Sequence, residues 1–210
     1  LVSASISDDG STISLSQDRF LYTDGEKADT TIWSIPVVLK VGTTSGVEEI
    51  RFLLEEKSAD IALESPAEWA TANAGGSGFF RARYSPEMLK ALSISMLENL
   101  TPIERYGLVD DTWSSVMTGR TSAKDFLEFA RSFQSETDLD VWTVLSGCLA
   151  NLDKLVEGEA KLQYQAVVRD LAHPALNRLG WEPSDSNSSR DLELRGLFIR
   201  LLANVGDDQL

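Results

Sequence analysis

The chain offers one imidazole and one thiol, His173 and Cys148. Hydrolysis of the HExxH type needs two imidazoles one helical turn apart with a carboxylate between them. Ser–His or Cys–His catalysis needs a nucleophile beside a base. A single histidine cannot supply the first, and it serves the second only if His173 is itself the base. His173 precedes Pro174 at an expected helix break, where a capping or surface imidazole is the ordinary reading. Cys148 falls on an apolar helical stripe and reads as a small buried hydrophobe. One cysteine also excludes an intrachain disulfide and any CxxC site. Asp110-Asp111 could be paired carboxylates for acid–base work. Consecutive helical residues point about 100° apart, so a structural role is expected, with Arg105 as a candidate partner and one carboxylate in solvent. Gly75-Gly76-Ser77-Gly78 has the glycines of a phosphate loop, yet no Lys follows and strand-like sequence comes next. A tight hairpin or bulged turn is expected there. Trp33, Trp69, Trp113, Trp142 and Trp181 are spread along the chain, which suits packing better than a ligand platform. No catalytic, cofactor-binding or metal-ligating residue is assigned in this chain.

The elements that would position these residues divide into two halves. Residues 1–84 read as β and residues 85–210 as α, a β + α chain of two domains. In the first half Ser11–Leu15 alternates after the turn Asp8-Asp9-Gly10. Arg19–Tyr22 precedes a turn at Asp24-Gly25. Thr31–Val41 is strand-like, with Pro36 demanding an edge or a bulge. Val47–Leu54 returns as its hairpin partner, Ile61–Leu63 adds a short strand, and Phe79–Tyr84 alternates again. These short strands predict a small antiparallel β-sandwich.

In the second half Ser85-Pro86 reads as an N-cap and a first-turn proline, before Leu89, Leu92 and Met96. Thr101-Pro102-Ile103-Glu104 fits a capping box, with Tyr106, Val109, Trp113 and Val116 on one face and Gly119 as the stop. Ser122 starts a helix carrying Phe126, Phe129, Ala130 and Phe133. Asp138 or Asp140 starts another, carrying Val141, Leu145, Cys148, Leu149, Leu152 and Val156. Residues 159–179 are helical, with Pro174 expected to break or kink them near Ala172. The run 184–189 reads as a flexible polar loop. A last helix covers about 190–205 through Leu194, Leu197, Phe198, Leu201 and Val205. Six amphipathic helices with short loops predict HEAT-like stacked α-helical hairpins. A hinge is expected near Tyr84–Pro86, where the period changes.

Lys and Arg total 19 against 33 Asp and Glu, a net charge of −14. Such a polyanion repels phosphate, so nucleic acid and anionic membrane are excluded as partners. No run of 18 apolar residues occurs. The free Cys148 and a quiet N-terminus point to a reducing, cytoplasmic compartment. The chain starts at Leu1 rather than Met, which suggests that it begins inside a longer protein. Leu201, Leu202 and Val205 close the last stripe, and an exposed apolar helix end there would favour a dimer.

Several stretches resemble the aminopeptidase N and puromycin-sensitive type of zinc aminopeptidase. Trp69–Tyr84, W-A-T-A-N-A-G-G-S-G-F-F-R-A-R-Y, resembles the segment that closes that family's small β-domain. Trp33-Ile35-Pro36-Val37 fits its W-x-I-P-V strand. T-P-I-E-R-Y-G-L-V-D-D-T-W, ending at Trp113, and E-T-D-L-D-V-W-T-V-L-S-G-C-L-A-N-L-D, ending at Asp153, resemble its first C-terminal helices. Leu179-Gly180-Trp181 and Leu194-Arg195-Gly196 continue the likeness in order.

The resemblance implies β-sandwich domain III, residues 1–84, followed by the start of helical domain IV, residues 85–210. It implies that the zinc site, its ligands and the recognition loop belong to a preceding catalytic domain, and that zinc is a cofactor of the parent and not of this chain. By itself the chain is then expected to be no enzyme. It would be the non-catalytic C-terminal region of a zinc aminopeptidase that removes N-terminal residues from peptides, a spacer and part of the helical bowl over the active site. Its partners would be the preceding catalytic domain and, in the parent, a peptide substrate. A stand-alone helical-repeat scaffold that binds protein or peptide is the alternative. An independent enzyme would have to rest on carboxylates alone.

Overall fold

The computed structural model describes residues 1–23, 30–184 and 186–207. Strands occupy the first part: β1 (Val2–Ile6), β2 (Thr12–Gln17), β3 (Ile35–Thr43), β4 (Gly46–Leu54), β5 (Ser58–Ala62), β6 (Ala67–Thr71) and β7 (Ala82–Tyr84). They form two sheets, ordered β5-β2-β1-β7 and β4-β3-β6. Pairing is antiparallel except between β1 and β7, which run parallel. The alternating residues Ile13 and Leu15 of β2 and Val37, Leu39 and Val41 of β3 turn inward. They join Val2, Ala4, Leu54, Ala70, Ala72 and Met88 in one core, as the two-residue period of a half-buried strand requires.

β1 has no counterpart in the sequence reading, because Val-Ser-Ala-Ser-Ile is small and polar on one face. β2 runs on to Gln17, a fully buried polar residue. Its amide nitrogen donates to the carbonyls of Trp33 (2.8 Å) and Glu56 (3.0 Å), and its oxygen accepts the Trp33 N–H (2.9 Å). Thus Thr31–Ser34, expected to be strand, is instead irregular chain held by a side chain. Pro36 pairs with Leu53 of β4, while β6 joins β3 only from Lys40 onward. The proline sits where β3 has a single ladder neighbour, and the bulge falls later, between Gly42 and Thr43. The expected turn at Asp24-Gly25 lies outside the described residues.

Gly42 lies opposite Trp69 on β6. A Cβ placed on it would sit 2.1 Å from the Trp69 indole, and that ring is buried. Gly42→Ala is expected to destabilise the chain by about 3 kcal/mol, the upper range of overpacking. Urea unfolding measures this against Gly107→Ala, which meets no atom within 4 Å. A loss under about 1 kcal/mol would show that the indole moves aside.

Six helices follow: α1 (Pro86–Asn99), α2 (Pro102–Met117), α3 (Ala123–Arg131), α4 (Leu139–Asp153), α5 (Gly158–Leu179) and α6 (Ser189–Asn204). Ser85 caps α1, its hydroxyl accepting the Met88 N–H at 3.2 Å. Gly119, at φ +68°, follows the end of α2, because left-handed backbone favours glycine.

The change from strand to helix falls at Ser85, but the chain divides into compact units after Thr121, giving Leu1–Thr121 and Ser122–Leu210. The reason is that α1 packs on β6 and α2 on β7, within the first unit. Ser85 N–H donates to Ala4 O at 3.0 Å. The Tyr84 hydroxyl contacts Thr71 Oγ1 at 2.9 Å and accepts the Ala72 N–H at 3.2 Å. The expected hinge at Tyr84–Pro86 is therefore corrected: that segment is tied to the sandwich. Tyr106 is corrected too, being exposed while Leu108, Val109 and Trp113 are buried.

In the second unit α3 packs on α5, and α6 on both α4 and α5. Helices two apart in sequence are neighbours, the arrangement of stacked helical pairs. Phe126, Phe129 and Phe133 are buried. Trp142 of α4 meets Phe198 of α6 edge to face, with centroids 4.7 Å apart. Cys148 is buried in the α4 stripe. α5 is not broken: it runs through Pro174. A proline removes the hydrogen bond to the carbonyl four residues back, here that of Asp170, and Gln134 Nε2 donates to this carbonyl at 3.2 Å.

The polar run before α6 is organised rather than loose. Asn187 Oδ1 accepts Ser184 N–H and Arg195 Nη2, each at 2.8 Å. Ser188 caps α6 in a capping box with Asp191; Asp185 lies outside the described residues. Leu201, Leu202 and Val205 are 6%, 0% and 1% exposed. The dimer expected from an exposed apolar end of α6 thus loses its surface, because those side chains are already packed inside the chain.

Candidate functional site: a polar seam between the sandwich and helix α2

Two segments carry most of the polar side chains buried in the first unit, Trp69–Tyr84 and Thr101–Trp113. The fold places them against each other. Between β6 and β7 the chain makes a 3-10 turn at Ala74–Gly76, not a hairpin of two long strands, because β7 covers only Ala82–Tyr84. Asn73 closes the loop: its oxygen accepts the Gly78 N–H (2.8 Å) and its nitrogen donates to the Gly78 carbonyl (3.1 Å). Gly75 and Gly76 have φ of +68° and +64°. A Cβ on Gly76 would stand 3.0 Å from Ile103 of α2.

Glu104 plugs this loop. One carboxylate oxygen accepts the Gly75 N–H at 2.9 Å. The other accepts the Thr101 N–H (2.7 Å), the Thr101 hydroxyl (2.8 Å) and Lys40 Nζ (3.4 Å). The capping box therefore does more than start a helix: the same carboxylate neutralises a glycine loop and a lysine from β3. Burial opposes its charge, but these donors outweigh it and hold the carboxyl below its ordinary 4.5.

Six and seven residues further along α2, Asp110 and Asp111 both reach Arg81. Asp110 forms an ion pair with the guanidinium, and Asp111 lies 3.2 Å from the same Nη1. Asp111 Oδ2 also accepts the Ala82 N–H at 3.0 Å, which joins the start of β7 to α2. The expected divergence of the two carboxylates is corrected, because one guanidinium between them can be approached from both sides. The partner found is Arg81, and Arg105 donates to the Leu100 carbonyl. Asp111 is buried, and desolvation pushes its carboxyl up to about 6 despite the hydrogen bonds to Ala82 and Arg81. Desolvation likewise raises the Tyr84 phenol to about 12.

The second unit contains shorter devices of the same kind. Glu136 Oε1 accepts the N–H groups of Thr137 (2.7 Å) and Asp138 (2.8 Å), and its carbonyl accepts Trp142 Nε1 (3.0 Å). Asp138 caps α4. Arg195 of α6 donates to Gly180 O (2.8 Å) and Leu179 O (2.9 Å), closing the end of α5. His173 Nε2 lies 2.9 Å from Asp207 Oδ2, so the imidazole is held at the end of α6 and not at a helix break.

Chemically these are fastenings. Glu104, Asp111, Arg195 and His173 each join two chain segments through a charge-assisted bond, and none of these pairs sets a nucleophile against a base. His173 lies against Asp207, Cys148 is buried, and no group of three His, Cys, Asp or Glu among the described residues could hold a metal. No described helix is long and apolar enough to cross a membrane.

The family model of the ERAP1-like C-terminal domain matches residues 69–210, beginning at Trp69 where the seam begins. The chain belongs to this family. It is 31% identical to the puromycin-sensitive aminopeptidase of Caenorhabditis elegans over 92% of its length. It is 30% identical to aminopeptidase 2 of Candida albicans over 94%, and 29% identical to aminopeptidase M1 of Arabidopsis thaliana over 100%. The chain spans only 21%, 22% and 25% of those three relatives.

Proposed function

We propose that this chain is the non-catalytic C-terminal region of a cytoplasmic zinc aminopeptidase that removes N-terminal residues from peptides. Residues 1–84 form the spacer, and residues 85–210 open the helical bowl over the active site. Its partners are the preceding catalytic domain and, in the parent, a peptide substrate. The observation that carries this reading is that the segments matching the family are the ones that lock the fold. Trp69–Tyr84 is fastened to Thr101–Trp113 through Glu104 and Arg81, and Leu179-Gly180 to Arg195. Parts that hold shape in this way suit a spacer and a cover. The net charge of −14 favours the cationic N-terminus of a peptide entering such a bowl.

The purified chain is expected to release nothing from a panel of aminoacyl fluorogenic substrates and to carry no stoichiometric zinc. Added to the catalytic part of a relative lacking its own C-terminal region, it is expected to change turnover of peptides. Turnover by the chain alone that survives repurification would sink the proposal.

A further inference from the structure

The second unit holds an open basin of about 340 Å³ that the aminopeptidase reading does not use. It is lined by Arg131 and Gln134 at the end of α3 and by Arg169, Asp170, His173 and Pro174 of α5. In a chain of net charge −14, two guanidinium groups and the only imidazole meet here.

Their orientation is fixed by ion pairs and hydrogen bonds. Arg131 Nη1 donates to Asp170 Oδ2 at 2.7 Å, and its Nε lies 3.7 Å from Glu128. Arg169 Nε donates to Asp207 Oδ2 at 3.1 Å, and its Nη2 to Val205 O at 2.8 Å. His173 meets the same Asp207 oxygen through Nε2. These bonds leave Arg131 Nη2, Arg169 Nη1 and His173 Nδ1 without a partner among the described residues. Pairing thus holds the side chains in place without using up their donors, since a guanidinium carries five N–H groups. Asp207 is 4% exposed at its side chain, so its charge is spent within the protein. Asp170, 56% exposed, is the lining carboxylate that competes in the basin. Gln134 Nε2 donates to the Asp170 carbonyl that Pro174 frees.

We propose that this basin binds a small oxyanion, a phosphate or a carboxylate group, between Arg131 and Arg169. Forked guanidinium donors match either group. The proposal does not depend on the catalytic assignment, and the test reads binding to the isolated chain. The full 210-residue chain, ¹⁵N-labelled, is titrated with inorganic phosphate and separately with acetate, at ionic strength held constant with sodium chloride. Saturable shifts of the arginine Nε–H signals of Arg131 and Arg169 are expected. Arg131→Gln should weaken binding by about 10-fold or more, as loss of a charge-assisted pair does. Asp170→Asn, which removes the competing charge, should tighten it. Arg190→Gln, on α6 beside Asp140, should leave it unchanged. Tighter saturation by phosphate assigns a phosphate-bearing ligand, and tighter saturation by acetate a carboxylate. Shifts that rise linearly without saturating, or that survive unchanged in both Arg131→Gln and Asp170→Asn, would overturn the proposal.

Discussion

Arg81→Met is expected to destabilise the chain by about 2 kcal/mol, less than the loss on breaking a fully buried ion pair because the Arg81 side chain is 33% exposed. Asp110 and Asp111 both lose this partner, and the more buried one, Asp111, 11% exposed, keeps the Ala82 N–H. The pH dependence identifies the cause. Desolvation already raises Asp111 to about 6 from its ordinary 3.8. The folded state thus binds this proton more tightly than the unfolded chain. The stabilisation is complete below about 3.8 and is lost as the pH rises through about 6, at most about 3 kcal/mol for a shift of this size. Urea unfolding of the parent chain should show this decline. Asp111→Asn should remove it, and Arg81→Met should carry it above pH 6, because the guanidinium no longer favours the carboxylate. An identical slope in the parent and in Asp111→Asn would refute the assignment to Asp111.

Glu104→Gln should cost about 2–3 kcal/mol at neutral pH. The exchange of one atom turns an acceptor of three donors, from Thr101 N–H, Thr101 hydroxyl and Lys40, into a fourth donor facing them. Glu104 lies below its ordinary 4.5 in the folded chain, so its contribution has the opposite sign to that of Asp111. It is present above about 4.5 and is lost as the pH falls through the folded value. In Glu104→Gln the acid side of the stability profile should flatten. Glu98→Gln, at an exposed position of α1, provides the control. Were Glu104→Gln to lose under about 0.5 kcal/mol, the carboxylate would not be what holds the glycine loop to α2.

Local rules made much of this chain legible. Ser85, Ser122 and Asp138 cap helices as their types and positions indicate, because a side-chain oxygen beside an apolar-periodic run has a nearby amide to accept from. Cys148 was readable as a packed hydrophobe from its stripe alone. Glu104 was readable only in part. Its reach back to Thr101 is a three-residue matter, but Gly75 lies 29 residues away and Lys40 lies 64 away. Arg81 was missed as the partner of Asp110 and Asp111 for the same reason. No spacing rule joins a short strand to a helix that begins twenty residues later. Gln17 continues the inward alternation of Ile13 and Leu15, and that phase was the available signal for a buried amide.

Pro174 shows the limit from the other side. Its chemistry forbids one backbone bond, and the sequence says no more than that. Tertiary packing decides that the helix continues, because Gln134 from another segment takes the freed carbonyl. The apolar end of α6 is the same case: its stripe is certain from the residues, but its burial depends on α4 and α5. What the amino acids determined alone was the succession of a β half and six helices, the caps, the acidic charge and the lack of imidazole pairs for metal hydrolysis. These follow from bonds and periods spanning a few residues. What only the tertiary structure decided was which carboxylate meets which cation. A buried charge takes the nearest compatible partner in space, and that distance is set by how the sheets and helices pack.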